Sequence, residues 1–154
     1  MNLQSKSVEE EMLEFFIGDW SNSGHVSPGP FGPGGPTTGK TSYHWDMRGK
    51  WLLYVSRLEL LAMEGYEVHG GVAFNGRVGK YDAYVINSLG NLLVYQGEWT
   101  DDATLVFTLV YPKSQRRARV VYRKLPAGSF KMTAENASEE GKFVPYFEIV
   151  FDRA

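Results

Sequence analysis

The feature that most constrains this chain is a two-residue alternation of apolar and other side chains, which begins after Gly18 and continues almost to the C-terminus. Successive side chains of a strand point to opposite faces, so such a run predicts a β-strand with one buried face. Typical runs are Tyr66-Val68-Gly70-Val72-Phe74, Tyr81-Ala83-Val85-Asn87 and Leu105-Phe107-Leu109-Tyr111. With the longer apolar run 51–61, these segments predict about ten strands.

Short turn signals separate the runs and favour antiparallel neighbours. Examples are Asn75-Gly76-Arg77, Leu89-Gly90-Asn91 and Glu139-Glu140-Gly141. A meander of this kind removes its exposed edges by closing on itself. A barrel of about ten strands is wider than one that side chains alone fill, so an interior cavity is expected. The chain is therefore predicted to be all-β, an antiparallel up-and-down barrel.

One segment, residues 7–17, has helical rather than strand spacing. Ser7 followed by Glu10 forms the pattern of a capping box, in which each side chain satisfies a free amide of the first turn. Apolar side chains then fall near one helical face, at Val8, Met12, Phe15 and Phe16. We expect a short N-terminal helix that ends before Gly18 and covers one end of the barrel.

The composition is that of a folded domain and excludes several kinds of site. Of 154 residues, 43% are hydrophobic and 22% charged, so we expect a single domain over 1–154. The absence of Cys excludes disulfides, thiolate metal sites and cysteine nucleophiles. A net charge of −2 argues against nucleic acid or a membrane surface as partner. With no secretory or transmembrane run, the expected location is the cytoplasm.

The segment 27–39 is rich in Pro and Gly and is predicted to be a loop outside the sheet, because Pro lacks a ladder donor. A lid or portal and a tolerated surface insertion are both compatible with it. Residues 34–41, Gly-Gly-Pro-Thr-Thr-Gly-Lys-Thr, fit the phosphate-binding P-loop pattern. That motif needs a helix after it, whereas strand alternation follows here, so we do not interpret it as a nucleotide site.

Histidines and basic residues do not predict a site either. His25, His44 and His69 lie on the parity opposite the apolar residues of their strands, so we expect them outside the barrel. We therefore predict no metal site and no cofactor. A basic cluster between 113 and 124 is interpreted as a solvated strand face rather than an anion site.

Polar atoms on an aromatic inner wall are the best candidates for function. Small-ligand sites are apolar cavities with a few convergent polar groups, and buried Tyr and Trp need hydrogen-bond partners. The alternative is that these aromatic side chains fill the barrel and satisfy one another. The predicted ligand-binding residues are Tyr43, Trp45, Tyr81, Asn87, Tyr95, Tyr111 and Tyr122.

Gly18-Asp19-Trp20, placed after a short helix and at the entry to the first strand, resembles the Gly-x-Trp signature of the calycin superfamily. In lipocalins an Arg just beyond the last strand packs across that Trp by a cation–π contact. Arg153 stands in the matching place here. The resemblance thus implies that Trp20 and Arg153 close the base of a lipocalin-like barrel.

Nearly the whole chain is also similar to an uncharacterised bacterial lipocalin-like family, a domain of unknown function. The similar stretches are Gly18-Asp19-Trp20, Gly49-Lys50-Trp51-Leu52, Phe74-Asn75, Gly79-Lys80-Tyr81, Asn87-Ser88 and 130–153. The family usually has Asp at positions 75 and 87 and Trp at 85, where this chain has Asn75, Asn87 and Val85. The nitrobindins, haem barrels with a His ligand in the closing strands, are distant relatives. Residues 144–147, Val-Pro-Tyr-Phe, hold no His, so haem is not carried over.

Three functions remain open at this point. The first is a binding module for a small hydrophobic molecule. The second is a small barrel enzyme of isomerase or cyclase type that uses the same cavity, which an interior Arg57 or Glu59 would favour. The third is a packed barrel that acts through its surface as a protein-interaction module, with a homodimer as one form.

Overall fold

The computed structural model describes residues 5–29, 32–61 and 63–154. Its strands close into one antiparallel barrel in the order β1-β10-β9-β8-β7-β6-β5-β4-β3-β2. They are β1 (Gly18–Val26), β2 (Gly35–Asp46), β3 (Trp51–Leu60), β4 (Met63–Asn75), β5 (Lys80–Asn87), β6 (Leu92–Trp99), β7 (Thr104–Tyr111), β8 (Ala118–Lys124), β9 (Phe130–Ala137) and β10 (Phe143–Arg153). Each strand pairs with its sequence neighbours, and β1 pairs with β10 to close the barrel. The predicted ten-stranded up-and-down barrel is confirmed.

One end of the barrel is covered by α1 (Val8–Met12) and the 3₁₀ turn Leu13–Phe16 that continues it. Ser7 and Glu10 form the predicted capping box: Ser7 Oγ accepts from Glu10 N, and Glu10 Oε1 accepts from Ser7 N. Leu13 and Phe16 are buried against the barrel interior. No helix in the described ranges is long and apolar enough to cross a bilayer.

The α-helix is shorter than the predicted 7–17, and side chains of the barrel bind the carbonyls that follow it. Trp20 Nε1 donates to Phe16 O at 2.8 Å, and Arg153 Nη2 donates to Phe15 O at 2.8 Å. Arg153 also donates to Ile17 O, while its guanidinium carbon lies 3.8 Å from the centre of the Trp20 ring. Trp20 and Arg153 are thus in the contact that the lipocalin resemblance implies, and this contact fixes the cap to the barrel.

The loop between β1 and β2 is shorter than the predicted 27–39, because β2 already begins at Gly35. The connection is 27–34, of which residues 30 and 31 lie outside the described ranges. Pro36 pairs with His25 of β1, but β2 pairs with β3 only from Thr38 onward. A Pro is tolerated where a strand has one neighbour, since no ladder donor is missed there. The prediction that 35–39 stay out of the sheet is wrong.

Register shifts, at which a β-bulge changes which side chains face inward, occur between β3 and β4, between β6 and β7 and between β9 and β10. Tyr95 of β6 pairs with Leu109 but Val94 pairs with Tyr111, so one extra residue lies between them on β7. Because a one-residue slip moves every following side chain to the other face, Tyr111 points outward and is 54% exposed. The prediction of an inward Tyr111 is therefore wrong. Another bulge lies between Pro145 and Phe147 on β10.

Candidate functional site

The two ends of the barrel differ. The first residues of odd-numbered strands and the last residues of even-numbered strands surround the helical cap, where aromatic rings pack closely. The Phe130 ring centroid lies 5.0 Å from that of Phe16 and 4.7 Å from that of Trp20. A void of about 20 Å³ remains beneath the cap, room for a single water. We call this the capped end, and the opposite end, where β1 ends and β2 begins, the open end.

A larger cavity of about 200 Å³ lies toward the open end. Its walls carry aromatic and aliphatic side chains together with hydroxyl and amide groups, and none of the described residues that line it is charged. Six are tyrosines: Tyr43, Tyr54, Tyr66, Tyr95, Tyr122 and Tyr146. This combination of an apolar body and a few polar atoms is typical of small-molecule sites.

Three tyrosines form the floor that separates this cavity from the capped end, since Tyr43, Tyr54 and Tyr122 contribute to the walls of both spaces. The hydroxyls of Tyr43 and Tyr54 hydrogen-bond to that of Tyr122, and the Tyr43 and Tyr54 rings are 4.9 Å apart. Burial raises the pKa of Tyr122 to about 12, although its two hydrogen bonds act the other way. Burial also raises the pKa values of Tyr43 and Tyr54. The tyrosine floor therefore stays neutral at physiological pH.

A hydrogen-bonded chain of small polar side chains lies in the wall formed by β1, β2 and β3; we call Asn22, Thr41 and Ser56 the polar relay. Asn22 Nδ2 donates to Thr41 Oγ1 at 2.7 Å, and Thr41 Oγ1 lies 2.6 Å from Ser56 Oγ. Asn22 is 4% exposed, and its Oδ1 finds no hydrogen-bond partner among residues 5–29, 32–61 and 63–154. A buried acceptor without a hydrogen bond costs about 1–3 kcal/mol of folding free energy, so a partner for Asn22 Oδ1 is expected.

At the mouth of the cavity, the side chain of Asn87 forms hydrogen bonds within the turn that follows β5. Its Oδ1 accepts from Leu89 N at 3.0 Å and Asn91 N at 3.3 Å, which shapes the turn between β5 and β6. Its side chain also hydrogen-bonds to the Tyr66 hydroxyl. Burial raises the pKa of Tyr66 to about 12, while this hydrogen bond acts in the opposite direction. Asn87 thereby couples the mouth turn to a cavity tyrosine.

The seven predicted ligand residues do not all come together. Tyr43, Asn87, Tyr95 and Tyr122 line the cavity. Tyr81 and Trp45 lie at the capped end instead. The Tyr81 hydroxyl donates to Glu9 O at 2.7 Å and accepts from Trp99 Nε1 at 3.0 Å. Lys6 Nζ lies 3.6 Å from the centre of the Trp45 ring. Tyr111 is exposed, as described above.

Several cavity residues were missed by the sequence reasoning. Tyr54 and Ser56 lie on β3, whose first half is apolar on both parities; the charged Arg57 and Glu59 on the opposite parity were the available signal. Tyr146 is the extra residue of the β10 bulge and lines the cavity beside Phe147. Pro145 was an available signal for that bulge. Asn22 shares the parity of Trp20 and Val26, which was a sufficient signal.

The described cavity wall contains none of the residues considered above for haem ligation, catalysis or anion binding. His25, His44 and His69 are all exposed, so the chain offers no ring nitrogen to the cavity for a histidine-ligated haem. Arg57 and Glu59 are exposed as well and lie outside the barrel. In the basic cluster, Arg116 forms an exposed ion pair with Glu139 at 3.1 Å, whereas Arg119 pairs at 3.0 Å with Glu135, whose side chain is only 12% exposed.

Comparison with solved structures agrees with the closed-barrel fold. The structure of Rv2717c from M. tuberculosis is similar, with a TM-score of 0.66 at 12% identity, covering 97% of this chain and 99% of that one. Two designed barrels are more distant. A de novo fluorescence-activating β-barrel has a TM-score of 0.45 at 10% identity and 92% and 95% coverage. EF1p2_mFAP2b bound to DFHBI has a TM-score of 0.40 at 12% identity and 94% and 98% coverage.

No curated protein is significantly similar in sequence. The family model described as "Protein of unknown function (DUF1579)" matches residues 5–153, almost the whole length of the chain. The lipocalin-like resemblance and the closed ten-stranded barrel agree with that match. The chain is a member of the DUF1579 family.

Proposed function

We propose that this chain binds a small, neutral, mostly apolar molecule inside the barrel. The observation that carries the proposal is the cavity of about 200 Å³ with no charged side chain among the described residues of its wall. A buried ion without a partner is strongly disfavoured, so a wall of this kind selects neutral molecules. An apolar cavity of roughly 150 Å³ accommodates benzene in another protein, so one or two fused rings match the volume here.

The binding proposal has more support than the two alternatives. Arg57 and Glu59, whose burial would have favoured an enzyme, are exposed. A barrel filled by its own side chains would leave no space above the tyrosine floor. The floor and the polar relay instead bring hydroxyl and amide groups to an otherwise apolar cavity, as expected for groups that orient a ligand.

Native mass spectrometry of the purified protein, followed by denaturing extraction, tests this function. We expect a bound small molecule that leaves on denaturation, or uptake of a neutral aromatic probe at one equivalent per chain. The matched control is Ala134→Leu, because Ala134 is buried and lines the cavity. The larger side chain occupies ligand space with little harm to the fold, since a hollow site has room for it.

Two outcomes contradict the proposal. One is a protein that carries nothing and takes up no neutral probe at millimolar concentration. The other is probe uptake that Ala134→Leu leaves unchanged, which would place binding elsewhere. The same spectra report whether the protein forms a homodimer, which stays a prediction.

A further inference from the structure

Among the described residues, no group of the barrel wall donates a hydrogen bond to Asn22 Oδ1. The residues paired with Asn22 are Phe151 on β10 and Gly39 on β2, and neither has a polar side-chain atom to offer. The Thr41 hydroxyl is already engaged by Asn22 Nδ2 and by Ser56. Asn22 also lines the cavity, so the contents of the cavity can supply a partner for Oδ1.

The relay also holds that oxygen in place. The hydrogen bond from Nδ2 to Thr41 fixes the carboxamide, and the 2.6 Å contact between Thr41 and Ser56 fixes the hydroxyl that receives it. An acceptor that is already oriented loses little entropy when a ligand binds. The geometry is that of a group prepared to receive a hydrogen bond rather than a defect in packing.

The surroundings limit the donor that can reach Asn22. An ammonium or guanidinium group would be buried without a counter-ion, because no carboxylate belongs to the described part of the cavity wall. The donor is then a neutral N–H or O–H group. The remaining wall near Asn22 is apolar, with Ile149 and Phe151 also lining the cavity.

We propose that Asn22 Oδ1 accepts a hydrogen bond from the ligand, so that the cavity selects neutral ring compounds that carry one N–H or O–H donor. This inference rests on the proposed binding function and names the chemical class of its ligand. Asn22 acts as the specificity-determining residue, and Thr41 and Ser56 position it.

Two probes of nearly equal size separate the effect of the hydrogen-bond donor on affinity from the effect of burying the ring. Indole carries an N–H, whereas benzofuran has an oxygen at that position and no donor. Calorimetric titration of the wild-type protein is expected to give a dissociation constant for indole at least about fivefold below that for benzofuran, which is the range of one net hydrogen bond. Benzofuran is the more hydrophobic of the two, so ring burial alone predicts the opposite order.

Asn22→Leu removes the acceptor while keeping the approximate volume of the side chain. We expect this variant to lose the preference for indole and to bind benzofuran as well as the wild type does. Asn136→Leu is the matched control, because it makes the same replacement at an exposed position outside the cavity and leaves Asn22 in place. Its preference for indole should stay within about twofold of the wild type, since the hydrogen bond that sets the preference is retained.

A second measurement covers the case in which Asn22→Leu does not fold. In the wild-type complex, nuclear Overhauser contacts are expected between the indole N–H proton and the side-chain amide protons of Asn22. Contacts to other cavity groups in place of Asn22 overturn the inference.

The possible outcomes separate the role of Asn22 from the proposed binding function. Equal affinity for the two probes, or tighter binding of benzofuran, overturns the role of Asn22 and leaves the binding function intact. A preference for indole that survives in Asn22→Leu overturns it also. If the wild type binds neither probe, the inference and the proposed function both fail.

Discussion

Arg153 joins the last strand to the helical cap through one planar side chain. Its guanidinium donates to the carbonyls of Phe15 and Ile17 and covers the buried ring of Trp20 at 3.8 Å. The fork geometry of Arg suits two acceptors at once, whereas the ammonium of Lys is a point charge. The residue therefore secures the cap in a way that charge alone does not.

Replacing Arg153 tests this contact. Arg153→Ala is expected to lower the free energy of unfolding by about 2 kcal/mol, from two charge-assisted hydrogen bonds and one cation–π contact. Arg153→Lys should recover less than half of that loss. Urea denaturation followed by Trp fluorescence measures both variants, and equal stability of the Lys variant and the wild type would contradict the account.

Gly70 makes room for the tyrosine floor. It pairs with Tyr54 across β3 and β4, and a Cβ at position 70 would overlap the Tyr54 ring at Cζ. Gly70→Ala should therefore displace the ring and cost about 1–3 kcal/mol of unfolding free energy, as overpacking does. It should also weaken uptake of a neutral probe.

Gly76→Ala is the control for that substitution, because a Cβ there meets only Phe74, at 3.9 Å. Its stability should stay within about 0.5 kcal/mol of the wild type. If the two Ala variants are equally stable in urea, Gly70 is not needed to seat Tyr54.

At the scale of the element, the cap depends on a helix of only five residues, Val8–Met12. So short a helix has little stability of its own and depends on packing and capping. Ser7→Ala removes one half of the capping box and should cost about 1 kcal/mol. Ser5→Ala, at an exposed position before the helix, should leave thermal unfolding unchanged, so equal melting temperatures for the two variants would count against the cap.

Alternation was enough to predict the strands, and it failed where the alternation itself is interrupted. The inward positions of Tyr43, Tyr95 and Tyr122 follow from parity, since their strands keep one register up to those residues. Tyr111 and Tyr146 lie at bulges, where an extra residue reverses the face. Bulges depend on strand pairing, which a single-strand pattern does not contain.

The inward face of β3 was not predicted from the sequence for a different reason. Its first half, residues 51–55, is apolar on both parities, because outer side chains also pack against neighbours on the barrel surface; Trp51 and Tyr84, for example, have ring centroids 5.8 Å apart. In its second half, the charged Arg57 and Glu59 share the outer parity, which indicates that the opposite parity faces inward. One tyrosine of the floor and one member of the polar relay could therefore have been found by giving more weight to that half of the strand.

For the whole molecule, the raised pKa values of the buried tyrosines predict how the free energy of unfolding depends on pH. Burial raises the pKa values of Tyr66 and Tyr122 to about 12, whereas an unfolded chain releases these protons near pH 10. Above pH 10 the unfolded state therefore binds fewer protons, and stability falls as the pH rises toward 12. Each group removes on the order of 2–3 kcal/mol over that window.

Urea midpoints at about pH 8, 10 and 11 measure this decline. Tyr122→Phe should be less stable at the lowest pH, because the floor loses its central hydroxyl, but its stability should fall less between the two higher values. The control Tyr111→Phe changes an exposed tyrosine and should follow the wild-type profile. A Tyr122→Phe slope equal to that of the wild type would contradict burial of that hydroxyl.

The barrel as a whole divides into a filled capped end and a hollow open end, and the binding proposal depends on that division. Methyl NMR spectra of the protein titrated with indole test it most directly. We expect saturable shifts at Val120, Met132 and Ala134, which line the cavity, and none at the exposed Val8 and Val78. Unchanged cavity methyls at saturating indole, or shifts confined to the surface, would contradict it.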